Sequence, residues 1–477
     1  MQEYDVIIIG SGAGMNVASN ALGAGLKVAV LDHGPLGGTC LNNGCIPSKI
    51  LLYPAEVIRK LQDAAEIGVH GKITKVDFDL IMERMKAFVD DGRHEMEHGV
   101  SATKNIMWYQ AKGEFTGDHT MKIGNEIIHA PKIIIASGSR PQVPNIEGLK
   151  ETGYIDNVSL LELHKLPKSL VIIGGGYIAC EYGHFFSALG TQVTILGRNP
   201  RLLKNEEPEI SDIVQKRFGK YVKIFTGMEI LRAEKSGWSK AVIAKDLAAN
   251  KVFKFTTDEI MVAAGRISNA DILHPERTGV ETDENGWIKV NEYMETTKAG
   301  IWALGDATGK YMFRHNANHE SDVVWTNGFT DKRVVMDHHA VPHAVFGYPE
   351  VGSVGLTEAQ AKAAGYQILV GRAPYSSVTK GYAMKEDDSL VKVLVDFKTR
   401  KILGCHIVGT DAAILVQQVV YMMNTDDQTY LPIARSQVIH PALSEAVIQA
   451  FARMVPPDHV HHHHEGPEKP EGLGHHE

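Results

Sequence analysis

Val6-Ile7-Ile8-Ile9-Gly10-Ser11-Gly12-Ala13-Gly14 is the stretch that decides the fold. Four consecutive apolar residues read as a strand, and the glycines behind them permit a tight turn and close approach of a pyrophosphate. A helix is predicted to about residue 24, then a second strand over residues 27–31 that ends at Asp32. This carboxylate stands 22 positions after Gly10, where it can accept hydrogen bonds from a ribose hydroxyl. Met15 replaces the third glycine of a G-x-G-x-x-G turn, which predicts slightly wider helix–strand spacing there.

The same strand, glycine turn and helix return once. A strand over residues 170–173 leads to Gly174-Gly175-Gly176, with Ala179 in register, a helix to residue 189 and a strand Gln192–Leu196. Two such units predict two nucleotide-binding domains. The second unit ends Gly197-Arg198-Asn199-Pro200-Arg201, without a carboxylate. Guanidinium groups bind phosphate through charge-assisted bonds, so Arg198 and Arg201 favour NADPH over NADH. Further apolar runs close on small residues at Ser137-Gly138, Gly265 and Gly305-Asp306 and read as later strands that meet a cofactor-side loop. After about residue 340 the pattern changes to alternating strands, over residues 390–395 and 402–408, and a helix over 412–423, which predicts a separate α+β domain.

Composition narrows the function. The 477 residues are 44% hydrophobic, with 49 basic against 57 acidic side chains and a formal charge of −8. That is ordinary globular composition, and the absence of a basic cluster argues against nucleic acid as a partner. No apolar run approaches the roughly 18 residues of a membrane span, and the N-terminal residues do not resemble a signal peptide. Four cysteines in so long a chain exclude a disulfide scaffold and make the cytoplasm the expected compartment.

Directly after the first unit stands Gly37-Gly38-Thr39-Cys40-Leu41-Asn42-Asn43-Gly44-Cys45-Ile46-Pro47-Ser48-Lys49. In a regular helix the five residues from Cys40 to Cys45 would rise about 7.5 Å. A disulfide spans only about 4.4–6.8 Å between α-carbons, so a bridge requires distorted backbone, which Gly44 and Pro47 permit or enforce. A small-loop bridge of this kind is easily reduced and suits a redox pair; the alternative is two buried free thiols. Near the C-terminus, His440-Pro441-Ala442-Leu443-Ser444-Glu445 sets an imidazole and a carboxylate five residues apart, a spacing that can form an orienting dyad. An imidazole with an ordinary pKa of about 6.5 can both deliver and remove the protons of thiol–disulfide exchange.

On these motifs the chain resembles the flavin-dependent pyridine nucleotide-disulfide oxidoreductases over residues 1–455. The resemblance implies an α/β fold of two Rossmann-like dinucleotide-binding domains plus an α+β C-terminal dimerisation domain. The FAD domain would take residues 1–145 and 266–338, the NAD(P) domain 146–265 and the dimerisation domain 339–455. FAD would contact Gly10, Gly12, Gly14, Asp32, Gly38, Thr39, Lys49, Gly113, Ser137, Gly138 and Asp306. The coenzyme, NADPH with NADH as the alternative, would contact Gly174, Gly176, Tyr177, Ile178, Glu181, Arg198, Asn199, Arg201 and Gly265.

By the same resemblance Cys45 lies against the flavin as the charge-transfer thiolate, Cys40 exchanges with substrate, and Lys49 and Glu181 pair beside the isoalloxazine ring. The protein is expected to lower the pKa of both thiols. The family pattern has Thr where Ala442 stands, and in relatives the dyad comes from the partner subunit. This implies a homodimer in which His440 and Glu445 complete the partner's site.

The run Arg314-His315-Asn316-Ala317-Asn318-His319-Glu320 is similar to one in mycothione reductases, as is the His440 segment. His315 and His319 could share a helix face, but without a third ligand nearby no metal site is expected. A disordered His-rich tail is expected over residues 456–477. The resulting expectation is an NADPH-dependent reductase that passes electrons through FAD and the Cys40–Cys45 disulfide to a low-molecular-weight disulfide. An NAD-linked dihydrolipoamide dehydrogenase is the first alternative, opposed by the missing strand-end carboxylate. A mercuric reductase or metal-handling protein is the second, opposed by the lack of an extra C-terminal cysteine pair, because Cys180 and Cys405 read as core thiols.

Overall fold

Strand Val6–Ile9 is buried along its whole length and lies at the centre of a five-stranded parallel sheet in the computed structural model, which describes residues 1–457. The order is Ile301–Ala303, Lys132–Ile135, Val6–Ile9, Val28–Leu31, Ile106–Tyr109. The outer strand Ile301–Ala303 returns from a point far along the chain and pairs Ile301 with Ile133. A second parallel sheet is built in the same manner around Ser169–Ile173, flanked by Gln192–Leu196 and Glu259–Val262 with Lys223–Phe225 outermost. Parallel strands buried on both faces need uninterrupted apolar sequence, which is why these segments show no alternation.

Each central strand ends in a glycine that no other residue could replace. A Cβ on Gly10, at φ +103°, would lie 2.1 Å from the carbonyl oxygen of Ala136; one on Gly174, at φ +142°, would lie 2.1 Å from that of Ala263. The two turns meet the neighbouring strand in the same way. Close helix–strand packing in the first unit is made at Gly14, where a Cβ would sit 2.7 Å from Cγ2 of Ile8. The wider spacing expected from Met15 is therefore offset one residue earlier, and Met15 packs as a partly buried member of the adjoining core.

Two annexes, one antiparallel and one mixed, have no counterpart in the sequence reading. Met228–Ser236, Ser239–Asp246 and Lys251–Thr257 form a three-stranded meander, and Gly113–Gly117 edges a four-stranded sheet. Helix Cys45–Asp63 packs against helix Phe78–Ala102 and against helix Tyr177–Ala188 of the second unit.

The C-terminal part is a five-stranded antiparallel sheet in the order Pro342–Val345, Val351–Gly355, Ile402–Val408, Leu390–Asp396, Ile368–Pro374. Helices Ala412–Met423 and Ser444–Ala452 cover it. Cys405 is buried there and Cys180 in the second unit, each as a core thiol. The second unit is locked to this sheet by charge. Buried Lys392 donates to Glu207 at 3.0 Å and to Glu209 and Glu358 at 2.8 Å, and Arg372 grips Glu209 at 2.8 and 2.6 Å. Among the described residues no helix is long and apolar enough to cross a membrane. The expected tail, with all its clustered histidines, lies outside the described residues from position 458 onward.

Candidate active site

Cys40 lies on the short helix Gly38–Asn42, and Cys45 opens helix Cys45–Asp63. The helical path breaks between them at Asn43 and Gly44, where a Cβ on Gly44 would stand 2.8 Å from the carbonyl oxygen of Thr39. This break brings two thiols five residues apart close enough for each to shift the ionisation of the other. Pro47 falls in the first turn of the second helix, where a missing N–H costs nothing.

Cys45 occupies the first position of a 19-residue helix, whose positive end favours a thiolate. The hydrogen bond from Cys40 lowers the Cys45 pKa most, the Lys49 charge adds to it, and burial and Glu181 oppose, leaving Cys45 at about 7. Cys40 moves the other way. Its hydrogen bond to Cys45, burial and the charge on Cys45 all push its pKa up, while Arg314 and Lys49 pull it down. The expectation that both thiols are lowered is thus corrected: the pair shares one proton, and the second ionisation must be made against the first.

Lys49, one helical turn after Cys45, donates to both oxygens of Glu181 at 3.0 and 2.9 Å. Glu181 is buried and also accepts from the backbone N–H of Phe346 at 3.1 Å, and the Lys49 ammonium lies 4.7 Å from the Phe346 ring centroid. The sequence places these partners 132 residues apart; the structure makes them a pair.

The loop in front of Cys40 is pinned by Asn42, whose amide donates to the carbonyls of Pro35, Leu36 and Gly38. The Asn42 oxygen accepts from Nε of Arg93 on helix Phe78–Ala102 at 2.5 Å. Sequence reading found neither residue, because an asparagine in a loop and an arginine on an amphipathic helix carry no spacing signal.

The first glycine turn faces this loop directly. A Cβ on Gly38 would lie 2.8 Å from Cα of Gly12, so the two glycines leave a cradle that side chains would fill. Ser137 at its rim has a buried hydroxyl without a partner. Asp32 accepts from the backbone and hydroxyl of Ser11 at 2.8 and 2.7 Å and from the Gly34 backbone at 3.0 Å. Asp306 accepts from Ser139 at 2.5 Å, with Nε of Arg266 at 3.6 Å. Gly113 packs on Leu31 so tightly that a Cβ would come within 2.7 Å of it. Gly138 is at φ +67° with open space around it, and Thr39 is exposed. An open glycine cradle, an orphaned hydroxyl and a strand-end carboxylate fit a dinucleotide.

In the second unit Gly176 faces open space at the start of helix Tyr177–Ala188, with Tyr177 exposed and Ile178 half-buried in the first turn. Gly265 is at φ +121° beside Gln142. Arg198 and Asn199 are exposed, and Arg198 has no hydrogen-bond or ion-pair partner among the described residues. Arg201 is already engaged, donating to Asp212 at 2.6 Å.

His440 and Glu445 form the expected dyad: Nδ1 lies 2.8 Å from Oε1, and Oε2 accepts from the backbone of Ala442 at 2.9 Å. The hydrogen bond to His440 holds Glu445 below the usual carboxylate range. The imidazole is 70% exposed, and no hydrogen bond or ion pair ties it to the cysteine segment among the described residues. The His440–Pro441 peptide is cis. His315 and His319, considered above as a pair of ligands, do not act together: His315 bonds the carbonyl of Pro342 at 2.7 Å and stacks on Phe313.

Comparison with known proteins identifies the family. The family described as pyridine nucleotide-disulphide oxidoreductase matches residues 4–321, and its dimerisation domain matches 341–451. Mycothione reductase of Mycobacterium tuberculosis is 34% identical over 463 residues, covering 94% of this chain and 99% of that protein. Mercuric reductase of Lysinibacillus sphaericus is 34% identical over 411 residues, 86% of this chain and 75% of that protein. Among solved structures, the Cu(II) complex of the HOCl-induced flavoprotein disulfide reductase RclA from Escherichia coli has a TM-score of 0.84. It is 29% identical and covers 95% of this chain and 99% of its own.

Proposed function

The chain belongs to the FAD-dependent pyridine nucleotide-disulphide oxidoreductases, and from that premise we propose that it is an NADPH-dependent reductase of a low-molecular-weight disulfide. The observation that carries this reading is the thiol pair itself: Cys40 and Cys45 flank the break at a helix N-terminus, with Gly38 of the same loop against Gly12 and Lys49 of the same helix paired with Glu181. The cradle with Ser137, Asp32 and Asp306 would hold FAD, and the second turn with Arg198 would hold the coenzyme. When bound, FAD would supply two-electron redox chemistry between the coenzyme and the cysteine pair.

The remaining steps belong to the chain. Cys40 loses its proton and attacks one sulfur of the substrate disulfide; that bond breaks, a Cys40–substrate disulfide forms, and the leaving thiolate takes up a proton. Cys45, already ionised, then attacks Cys40, which closes the Cys40–Cys45 disulfide and releases the second thiolate. Two electrons have left the pair, and two thiols have formed from one disulfide. Because the Cys40 pKa is raised, its first step needs a base, and His440 oriented by Glu445 is suited to take that proton and return it to the leaving group.

His440 is exposed and, among the described residues, has no hydrogen bond or ion pair to the cysteine segment, which supports a homodimer in which each subunit's dyad serves the other's thiols. Exposed apolar side chains, Ile439 next to His440, Ile414 and Tyr421 on helix Ala412–Met423, and the stripe Tyr53, Val57 and Leu61 on the Cys45 helix, suit such an interface. Arg198 supports NADPH. A cytoplasmic setting, where thiols stay reduced, suits the pair.

Complementation tests this reading. Cys40→Ala and His440→Ala homodimers should both be inactive with NADPH and a disulfide, whereas mixed and refolded subunits should recover part of the activity through the one site that is intact. No recovery would refute catalysis across subunits. A preference for NADH with lipoamide would replace the reading with a dihydrolipoamide dehydrogenase.

A further inference from the structure

Phe346 has no role in the steps above, yet it touches both members of the Lys49–Glu181 pair. Its backbone N–H donates to Oε1 of Glu181 at 3.1 Å, and its ring centroid lies 4.7 Å from the Lys49 ammonium. The first contact satisfies an oxygen of a buried carboxylate, and the second sets the negative face of an aromatic ring against a cation. Phe346 belongs to neither helix of the pair. It stands in the loop between strands Pro342–Val345 and Val351–Gly355, within the residues matched by the dimerisation domain.

The same loop is tied to both helices a second time. The Tyr348 hydroxyl donates to Oδ2 of Asp63 at 2.6 Å, and Asp63 ends helix Cys45–Asp63, which carries Lys49. A carboxylate at the negative end of a helix dipole is unfavourable by itself. Two phenols offset that cost, since Tyr221 of the second unit donates to Oδ1 at 2.5 Å. Burial, and then the bond to Asp63, push the Tyr348 pKa up, so its hydroxyl stays a donor at any working pH. The Tyr348 ring also stacks on His184, with centroids 5.7 Å apart, one turn after Glu181 on helix Tyr177–Ala188. The loop is therefore fastened to the helix of Lys49 and to the helix of Glu181.

We propose that Phe346 is a positioning residue for the Lys49 ammonium and the Glu181 carboxylate, and that the Tyr348–Asp63 hydrogen bond holds it there. The inference rests on the disulfide-reductase reading and adds to its site two residues of the C-terminal sheet. Behind the hydrogen bond from Cys40, the Lys49 charge favours the Cys45 thiolate, whereas Glu181 opposes it. A looser ammonium and a less satisfied carboxylate both disfavour that thiolate, so losing either Phe346 contact moves Cys45 in one direction.

The test is the pH midpoint at which Cys45 ionises in the Cys40→Ser holoenzyme, read from the long-wavelength thiolate-to-flavin absorption and from alkylation by iodoacetamide. Phe346→Leu keeps the N–H and the apolar bulk but removes the ring face. It should raise the midpoint by about half a pH unit, the scale of one partly exposed cation–π contact. Phe346→Tyr retains the face and should leave the midpoint in place. Tyr348→Phe loses one hydroxyl, keeps its stacking and should also raise the midpoint; it decides the matter if Phe346→Leu fails to fold. An unchanged midpoint in either folded variant, or a shift in Phe346→Tyr as large as that in Phe346→Leu, overturns the proposal. Disulfide turnover by the unmodified enzyme is scored apart: if the midpoints move but no disulfide is reduced, the positioning role stands and the reductase reading falls.

Discussion

Cys40→Ala and Cys40→Ser, compared, test the electrostatic core of the site. In the native pair the first cause of the lowered Cys45 pKa, about 7, is the hydrogen bond from Cys40, ahead of Lys49. Serine can still donate to the Cys45 thiolate; alanine cannot. A hydrogen bond to a charged acceptor contributes about 1.5–3 kcal/mol, and one pKa unit corresponds to about 1.4 kcal/mol. At the lower end of that range, alanine should raise the Cys45 pKa by about one unit. The thiolate fraction at pH 7 would then fall from about half to about a tenth.

The assay is alkylation of Cys45 by iodoacetamide across pH; Cys180 and Cys405 are buried and should not compete. A thiolate of higher pKa is also the stronger nucleophile. The midpoint of the pH profile, rather than the rate at one pH, is therefore the quantity to compare. Serine should titrate near 7 and alanine near 8. Equal midpoints would show that the Cys40 hydrogen bond does not set the ionisation of Cys45, and would leave Lys49 and the helix terminus as its cause.

Four further outcomes follow from particular contacts. Gly10→Ala should abolish flavin retention while NADPH binding persists, and Gly174→Ala should do the reverse, because each Cβ meets a carbonyl oxygen at 2.1 Å in one nucleotide turn only; flavin absorbance and coenzyme titration separate the two. Lys392→Met leaves Glu207, Glu209 and Glu358 around a neutral side chain and should cost about 3 kcal/mol or more in stability, read as a lowered Tm at neutral pH. In the unmodified protein, burial opposes ionisation of Glu209, but hydrogen bonds from Arg372 and Lys392 outweigh it and hold its pKa at about 2. Its stabilisation is therefore present above the ordinary glutamate range of about 4.3 and lost as pH falls towards 2, so melting across pH 2–6 should be less acid-sensitive in Arg372→Met. Glu445→Gln should lower disulfide turnover by about 10-fold or more while NADPH still reduces the enzyme in a single-turnover experiment, since the dyad handles only the protons of thiol exchange.

The sequence by itself determined the two nucleotide units, the redox segment and the C-terminal dyad, because each is a local pattern. A buried parallel strand must be continuously apolar, a phosphate turn must be glycine, and a hydrogen-bonded imidazole and carboxylate can be five residues apart. Strand Gln192–Leu196 and helix Ala412–Met423 follow from such rules to the residue. Only the tertiary structure decided what depends on distant segments meeting. It brings Lys49 to Glu181, Arg93 to Asn42, strand Ile301–Ala303 to the first sheet, and Lys392 among three carboxylates. It also decided which thiol of the pair ionises, since that depends on a shared proton, a helix terminus and charges such as Arg314 that no spacing along the chain encodes.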